Sequence, residues 1–217
     1  MSGFFLSWTR PSPEQQKSII GRSKNCFNYD PKYNCATSPS EEEEEEWKKD
    51  KQLRNAGFHI NDARVLLGSG DRTFRMAKSA LQSWKHFELD WACVEPNTSV
   101  EKGTNFCVCA RILRGFPWVA MPLQIVFVND TAFGSNNEKG RFDFGSGTLC
   151  GHLLAGEERF SIQWDKDDRV CPCMTYREFV ETEHIHYTNV CKCTPKKIWS
   201  LHQDGTTGPL GSDARSQ

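Results

Sequence analysis

The chain has 217 residues, and its 27 basic and 28 acidic side chains almost cancel. This length suits one domain with a single hydrophobic core, because domains cluster near roughly 100–150 residues. The charge balance provides no global field that would attract phosphate backbones, so nucleic acid is not an expected partner.

Neither a membrane span nor a secretory leader is expected. The longest apolar run, residues 118–128, contains Pro122 and Gln124 and is shorter than the roughly 20 residues that cross a bilayer. At the start, Arg10 and Pro11 follow the few apolar residues too soon for a secretory leader. We therefore predict an intracellular, cytoplasmic protein whose ten cysteines are reduced thiols.

The first predicted helix follows Ser12. Ser12 as N-cap, Pro13 at the first helical position and Gln15 as the second half of a capping box are typical of a helix N-terminus. Gly21 is expected to end this helix after about two turns. The apolar residues that dock it are predicted to be Phe4, Phe5, Trp8, Ile19 and Ile20.

Residues 38–51 form an acidic segment with a run of consecutive glutamates. These side chains repel one another and offer little to bury, so we predict a solvated loop. The alternative is an acidic tether for a basic partner.

A strand and then an amphipathic helix are predicted next. Residues 58–67 are rich in branched apolar side chains and end at a glycine turn, residues 68–70. Asp71 is expected to cap the helix. Three- and four-residue spacing predicts that one helix face lies on a core and carries Phe74, Ala77, Leu81, Trp84 and Phe87.

Strand-like segments follow at residues 91–95, 105–113, 118–128, 141–149 and 158–164. Their connections are too short for helical crossovers, so the strands are expected to be antiparallel. We predict an α+β fold in which a curved antiparallel sheet of five or six strands packs on a helix. Such a sheet has a concave face that a ligand can enter.

Three segments resemble an uncharacterised family of plants and many bacteria that carries a domain of unknown function. They are RVLLGSG from Arg64, LQSWKHFELDW from Leu81, and FGSGTLCGHLLAGEERFSI from Phe144. This family is grouped with the START and birch-pollen-allergen superfamily. The resemblance covers most of residues 4–169 and implies a helix-grip fold, whose sheet bends around a long C-terminal helix and encloses an apolar cavity. Some plant members are described as plastid-envelope proteins, so the resemblance also allows association with that membrane.

The resemblance weakens after Asp168, where family members continue with a strand and a long apolar helix. Residues 175–178 are typical of a capping box here, which predicts a helix of about three turns. We assign residues 1–170 to one helix-grip-like domain that includes the acidic loop 38–51. Residues 171–217 are assigned to a disordered or weakly helical tail. An apolar sheet face that this tail leaves uncovered would dock a protein partner.

Two motifs are candidates for chemistry. Gly145, Gly147 and Gly151 resemble a phosphate loop only superficially, and we expect them to mark a β-bulge or a close approach of the helix to the backbone. The candidate catalytic residues are His152, Glu157, Glu158 and Arg64. The structural alternative is that one of the glutamates anchors an arginine or a turn backbone.

Cys-X-Cys pairs recur three times in the chain. Cys107 and Cys109 are expected to pack as small apolar residues in a strand. A weak alternative is a zinc site built from Cys171, Cys173, Cys191 and Cys193, but structural zinc pairs are usually spaced by two to four residues. We therefore predict no metal and no cofactor.

The leading functional prediction is a protein that binds an apolar small molecule or lipid between sheet and helix. Its lining residues are predicted to be Phe74, Leu81, Trp84, Phe106, Val108, Val126 and Phe144. One alternative is a hydrolase- or cyclase-like enzyme that uses His152 with Glu157 or Glu158. The other is a protein-interaction module.

Overall fold

The computed structural model describes residues 5–40, 43–111, 116–132 and 138–179 of the chain. The elements in chain order are β1 (Phe5–Ser7), α1 (Pro13–Ser23), α2 (Glu43–Asn55), β2 (Phe58–Arg64), β3 (Gly68–Ser69), α3 (Gly70–Gln82), β4 (Ala92–Cys93), β5 (Asn105–Ala110), β6 (Trp118–Ala132), β7 (Glu138–Thr148), β8 (Ala155–Asp165) and β9 (Arg169–Phe179). Short 3-10 helices cover Pro31–Tyr33 and Lys85–Phe87.

All of these strands belong to one antiparallel sheet with the order β2-β9-β8-β7-β6-β5-β4. β1 pairs with the start of β6, and β3 pairs with β9. The predicted α+β class and the curved antiparallel sheet are confirmed. The predicted strand number was too low, because β1 and β3 are too short to give a sequence pattern and β9 was assigned to the tail.

The concave face of the sheet carries the main hydrophobic core. Because side chains alternate along a strand, Phe142 and Phe144 of β7 and Phe160 and Ile162 of β8 point to this face and join residues of β5, β6 and β9 in one cluster. α3 packs on this face, with Phe74 stacked on Trp164 of β8 at 5.9 Å between ring centroids. The predicted helix face is therefore confirmed as a core face.

The N-terminus of α1 is capped as predicted. The Ser12 hydroxyl accepts the backbone N–H of Gln15 at 3.3 Å, and the Gln15 side chain accepts the N–H of Ser12 at 2.8 Å. The predicted end at Gly21 is wrong, since the helix continues to Ser23 and Lys24 adopts the left-handed conformation that ends it.

Two further details of the helix predictions are corrected. Trp8 is 78% exposed and does not dock α1, whereas Phe5 and Ile20 pack beside buried Ile19. The cap of α3 is Ser69 rather than Asp71, which lies in the first turn and pairs with Arg75. An aspartate in the first turn stabilises the helix dipole without being the cap.

The prediction of an acidic loop at residues 38–51 is wrong, because much of this segment belongs to α2. Glu46 and Asp50, one turn apart, form ion pairs of 2.8 and 2.7 Å with Arg177 of β9, which is only 1% exposed. Lys49 donates to the carbonyls of Cys35 and Ser38. A buried arginine from a distant strand thus offsets the repulsion within the glutamate run.

The predicted helix from Thr175 is also wrong, since β9 continues through this segment to Phe179. β9 lies between β2 and β8 and hydrogen-bonds both, so pairing on two sides overrides a local capping signal. The predicted boundary at residue 170 falls inside this strand. The remainder of the predicted tail lies outside the described residues.

The described helices include none that is both long and apolar enough to cross a membrane.

Candidate functional site

Aromatic side chains from distant parts of the chain meet on the concave face. We call the following residues the aromatic cluster: Trp84, His86, Phe87, Phe106, Phe144 and Phe160. The ring centroids of Trp84 lie 4.7 Å from Phe106 and 5.3 Å from Phe144, and those of His86 and Phe160 are 4.7 Å apart. These separations are within the range in which aromatic rings attract one another.

The backbone at Trp84 is strained. Its φ is 59°, in the left-handed region, although the residue is bulky and only 1% exposed. A non-glycine residue in this region costs about 1–2 kcal/mol. The left-handed conformation turns the chain sharply after α3 and places the Trp84 ring in the aromatic cluster. There the Trp84 Nε1–H donates to the Thr98 carbonyl at 2.9 Å.

The aromatic cluster is bordered by apolar residues that are only partly buried. Those packed against the core are Leu67, Phe87, Leu89, Trp91, Val100, Val128, Leu153 and Trp164. These side chains leave apolar surface partly exposed at the edge of the concave face.

A pair of polar residues lies at one end of the aromatic cluster. Ser146 of β7 and Glu158 of β8 are cross-strand partners two residues beyond the Phe144–Phe160 pair, on the same face. They lie on the side away from Trp164, where α3 packs. The Ser146 hydroxyl donates a long hydrogen bond of 3.5 Å to the Glu158 carboxylate, which is partly buried.

Most of the predicted lining residues lie together in the main core: Phe74, Leu81, Trp84, Phe106, Val108 and Phe144. Val126 is separate, at a β-bulge between Ile125 and Phe127, where its carbonyl accepts the Cys35 thiol at 3.9 Å. Sequence reasoning did not include His86, Phe87 and Phe160 in the lining, although it placed Phe87 on the core face of the predicted helix. The first two lie in the LQSWKHFELDW segment that carried the resemblance.

The four candidate catalytic residues are not assembled in one site. Glu157 and Glu158 are consecutive in β8, so their side chains leave opposite faces of the sheet. Arg64 is opposite Cys173 of β9, four residues from the partner of Glu157, or roughly 13 Å along the strand.

Glu157 is buried on the convex face and anchors the chain between α1 and α2. Its carboxylate accepts the Tyr29 hydroxyl at 2.8 Å, the Cys35 N–H at 2.7 Å, and the N–H and hydroxyl of Thr37 at 3.1 and 3.2 Å. Burial raises the pKa of Glu157, and these donors act in the opposite direction. The carboxylate therefore holds a turn backbone, which is the structural role that the sequence allowed for one of the glutamates.

Aromatic side chains approach the backbone of β7 closely at Gly145 and Gly147. A Cβ at Gly145 would lie 2.6 Å from Cζ of Phe127, and one at Gly147 would lie 2.9 Å from Cε1 of Phe27 and closer still to the Tyr29 hydroxyl. The expected close approach is therefore made by aromatic side chains rather than by a helix, and the β-bulge lies opposite, in β6.

The cysteines of the weak zinc alternative do not form a site within the described residues. Cys171 and Cys173 lie two residues apart on β9, and Cys191 and Cys193 lie outside the described part of the chain. In the described part of the chain, no three or more His, Cys, Asp or Glu side chains are grouped so that they could hold a metal ion. Cys107 and Cys109 are buried beside Ile19, as predicted for small apolar packing residues.

His152 lies in the turn between β7 and β8, and its Nδ1 accepts the Leu154 N–H at 2.9 Å. Burial lowers the pKa of His152 from 6.5 to about 4. Between these values the unfolded chain binds a proton that the folded chain does not, so the free energy of unfolding falls as the pH drops from 6.5 towards 4.

Replacement of His152 by asparagine is expected to remove this pH dependence. An asparagine side chain can accept the same N–H two residues on, as in an Asx turn, but does not titrate. Relative to H152N, the wild type should lose about 1–2 kcal/mol of unfolding free energy between pH 7.5 and pH 5 in urea titrations.

The wild type must be compared with H152N because Glu157 changes the unfolding free energy with pH in the opposite direction to His152. Its raised folded pKa makes the unfolding free energy fall as the pH rises above 4.5. This contribution cancels between wild type and H152N. Parallel pH profiles for the two proteins would contradict the lowered pKa of His152.

The fold and the site define an α+β domain in which an antiparallel sheet carries an aromatic cluster on its concave face. Residues 41–188 match the family described as "Domain of unknown function (DUF1990)". The chain belongs to this family, so the family prediction from the sequence is confirmed.

Named relatives agree with this membership. A UPF0548 protein of Arabidopsis thaliana is 48% identical over 76% of this chain and 78% of its own length. A UPF0548 protein of Dictyostelium discoideum is 31% identical over 75% of this chain and 72% of its own length. Among solved structures, the major latex-like protein 151 of Panax ginseng is similar, with 10% identity, a TM-score of 0.39, and coverage of 68% of this chain and 94% of that one.

Proposed function

We propose that this protein binds an apolar small molecule or lipid on the concave face of the sheet, without catalysing its conversion. The observation that carries the proposal is the aromatic cluster together with its partly buried apolar border. Accessible apolar surface in a concave position, with a few polar groups nearby, is the usual composition of a small-molecule site.

The strained backbone at Trp84 supports the same proposal. Strain of this kind persists only where the surrounding structure holds it, and it is found preferentially at binding sites and switches. Here it serves to place one large ring against Phe106 and Phe144.

Ser146 and Glu158 define the polar end of the proposed ligand. A hydrogen-bond donor on a ligand would meet two groups with acceptor oxygens at this end, the Ser146 hydroxyl and the Glu158 carboxylate. The proposed ligand is therefore an apolar molecule that carries a hydroxyl, amide or amine.

The catalytic and interaction alternatives receive less support. The Glu157 carboxylate already accepts hydrogen bonds from Tyr29, Cys35 and Thr37. Glu158 points to the opposite face of the sheet from Glu157. The interaction alternative depends on a sheet face that the predicted tail, residues 171–217, leaves uncovered. Residues 180–217 of that tail lie outside the described residues.

Binding of 1-aminoanthracene, an apolar fluorophore with one amine donor, tests the proposal with the full chain. We expect saturable binding that Leu153→Glu weakens at least tenfold, because Leu153 packs against the core beside the β7–β8 turn and a charge there opposes apolar contact. Fluorescence titration measures both.

Leu66→Glu is the matched control. Leu66 is 58% exposed and is not among the residues packed against the concave-face core, so the glutamate adds the same charge away from the proposed site. This variant should bind the probe as the wild type does. Absence of saturable binding, or equal weakening by both substitutions, would contradict the proposal. Thermal unfolding of both variants separates lost binding from lost folding.

A further inference from the structure

Cys26 and Cys150 face each other across a short backbone bridge. Phe27 and Leu149 form an isolated antiparallel bridge, which places their neighbours Cys26 and Cys150 opposite one another. The Cys150 N–H donates to the Cys26 carbonyl at 2.7 Å. Opposite residues in a hydrogen-bonded antiparallel pair have Cα atoms about 5.5 Å apart. This separation is the most common one in protein disulfides, about 5.5–6 Å.

The two thiols also point to the same place. The Cys26 sulfur lies 3.5 Å from the Phe27 carbonyl oxygen, and the Cys150 sulfur lies 3.7 Å from the same oxygen. Burial and a hydrogen bond with the Cys26 thiol raise the pKa of Cys150. Both sulfur atoms therefore lie on the same side of the bridge, next to one carbonyl oxygen.

Access differs between the two residues. Cys26 is exposed and Cys150 is partly buried. An exposed thiol meets an oxidant first, and a neighbour in contact with it can then complete the reaction. Cys93 and Cys109 are also cross-strand partners, but both are buried and out of reach of a solute.

We propose that Cys26 and Cys150 form a redox modification site that takes a small-molecule disulfide of the glutathione class. The Cys26 thiolate attacks one sulfur of the disulfide, whose S–S bond breaks, and one thiol leaves with a proton. The Cys150 thiolate then attacks the Cys26 sulfur in the mixed disulfide, and the second small thiol leaves with a proton. Two cysteine thiols are oxidised by two electrons, and one small disulfide is reduced to two thiols.

The product would join two segments that only noncovalent contacts connect at present. Cys26 precedes the segment that Glu157 anchors through Tyr29 and Thr37, and Cys150 begins the turn that carries His152. A covalent link between residues so far apart in the sequence restricts the unfolded chain strongly. Oxidation is therefore expected to raise the melting temperature.

The full chain is incubated at pH 8 in buffers of increasing oxidised-to-reduced glutathione ratio, free thiols are alkylated, and linked peptides are identified by mass spectrometry. We expect a Cys26–Cys150 cross-link and a melting temperature about 5 °C or more above that of the reduced protein. Cys26→Ser should abolish both changes, whereas Cys35→Ser should retain them.

Cys150→Ser provides a second arm, because it retains the exposed thiol without its partner. This variant should accumulate glutathione on Cys26. The proposal is overturned if the wild type accumulates the same mixed disulfide without closing it, if Cys26 links to another cysteine, or if both thiols remain alkylatable in the most oxidising buffer.

Discussion

Replacement of Glu157 by alanine is expected to lower the free energy of unfolding by about 3 kcal/mol or more. The substitution leaves the Tyr29 hydroxyl and the N–H groups of Cys35 and Thr37 without their acceptor in a buried position. An unsatisfied buried donor costs about 1–3 kcal/mol, although relaxation and water entry prevent simple addition. Urea unfolding at pH 7 followed by tryptophan fluorescence measures the change.

Glu158→Ala is the matched control, because it removes the same side chain from the next residue of β8, which points to the concave face and is only partly buried. We expect it to cost less than about 1 kcal/mol. A double-mutant cycle between E157A and Tyr29→Phe should give a coupling of about 1–3 kcal/mol. If E157A and E158A lowered the unfolding free energy equally, the anchoring role of Glu157 would be wrong.

Gly145→Ala is expected to cost about 3 kcal/mol, because the added methyl group would overlap the Phe127 ring. The ring lies against the backbone of β7 on the convex face, and a strand position at the centre of a sheet cannot move aside freely. The melting temperature and the urea midpoint should both fall.

A suppressor identifies the cause of this loss. Phe127→Leu removes the ring atoms that meet the new methyl group, so G145A/F127L should be more stable than G145A alone even though F127L by itself is destabilising. Gly21→Ala is the control, since no atom lies within 4 Å of its added Cβ. In the interior of α1 this alanine should be neutral or stabilising by about 0.5–1 kcal/mol. Additive losses in the double variant would exclude steric overlap as the reason.

The aromatic cluster illustrates what local patterns can and cannot predict. The spacing of Phe74, Ala77 and Leu81 predicted a core-facing helix, because a helix brings such residues to one side whatever its partner is. It did not predict the bend at Trp84, which depends on a left-handed residue with no glycine to indicate it. His86 and Phe87 therefore fell outside the expected lining.

The acidic segment, residues 38–51, shows that a local charge pattern is likewise insufficient to predict structure. A run of glutamates predicts a solvated loop when only its own repulsion is considered. Arg177, more than 120 residues later in the chain, pairs with Glu46 and Asp50 and makes a helix favourable. The same arginine lies in a segment whose local signal favoured a helix, so neither half of the interaction could be predicted without the other.

The sequence by itself determined the features that depend on neighbours in the chain. Ser12, Pro13 and Gln15 specified the start of α1, the spacing from Phe74 to Leu81 specified the core face of α3, and the glycine-rich segment from Phe144 specified the family. Only the tertiary structure decided the rest. It placed Glu157 and Glu158 on opposite faces, joined α2 to β9 through a buried ion pair, and brought Cys26 beside Cys150, because each of these depends on which strands pair and in which register.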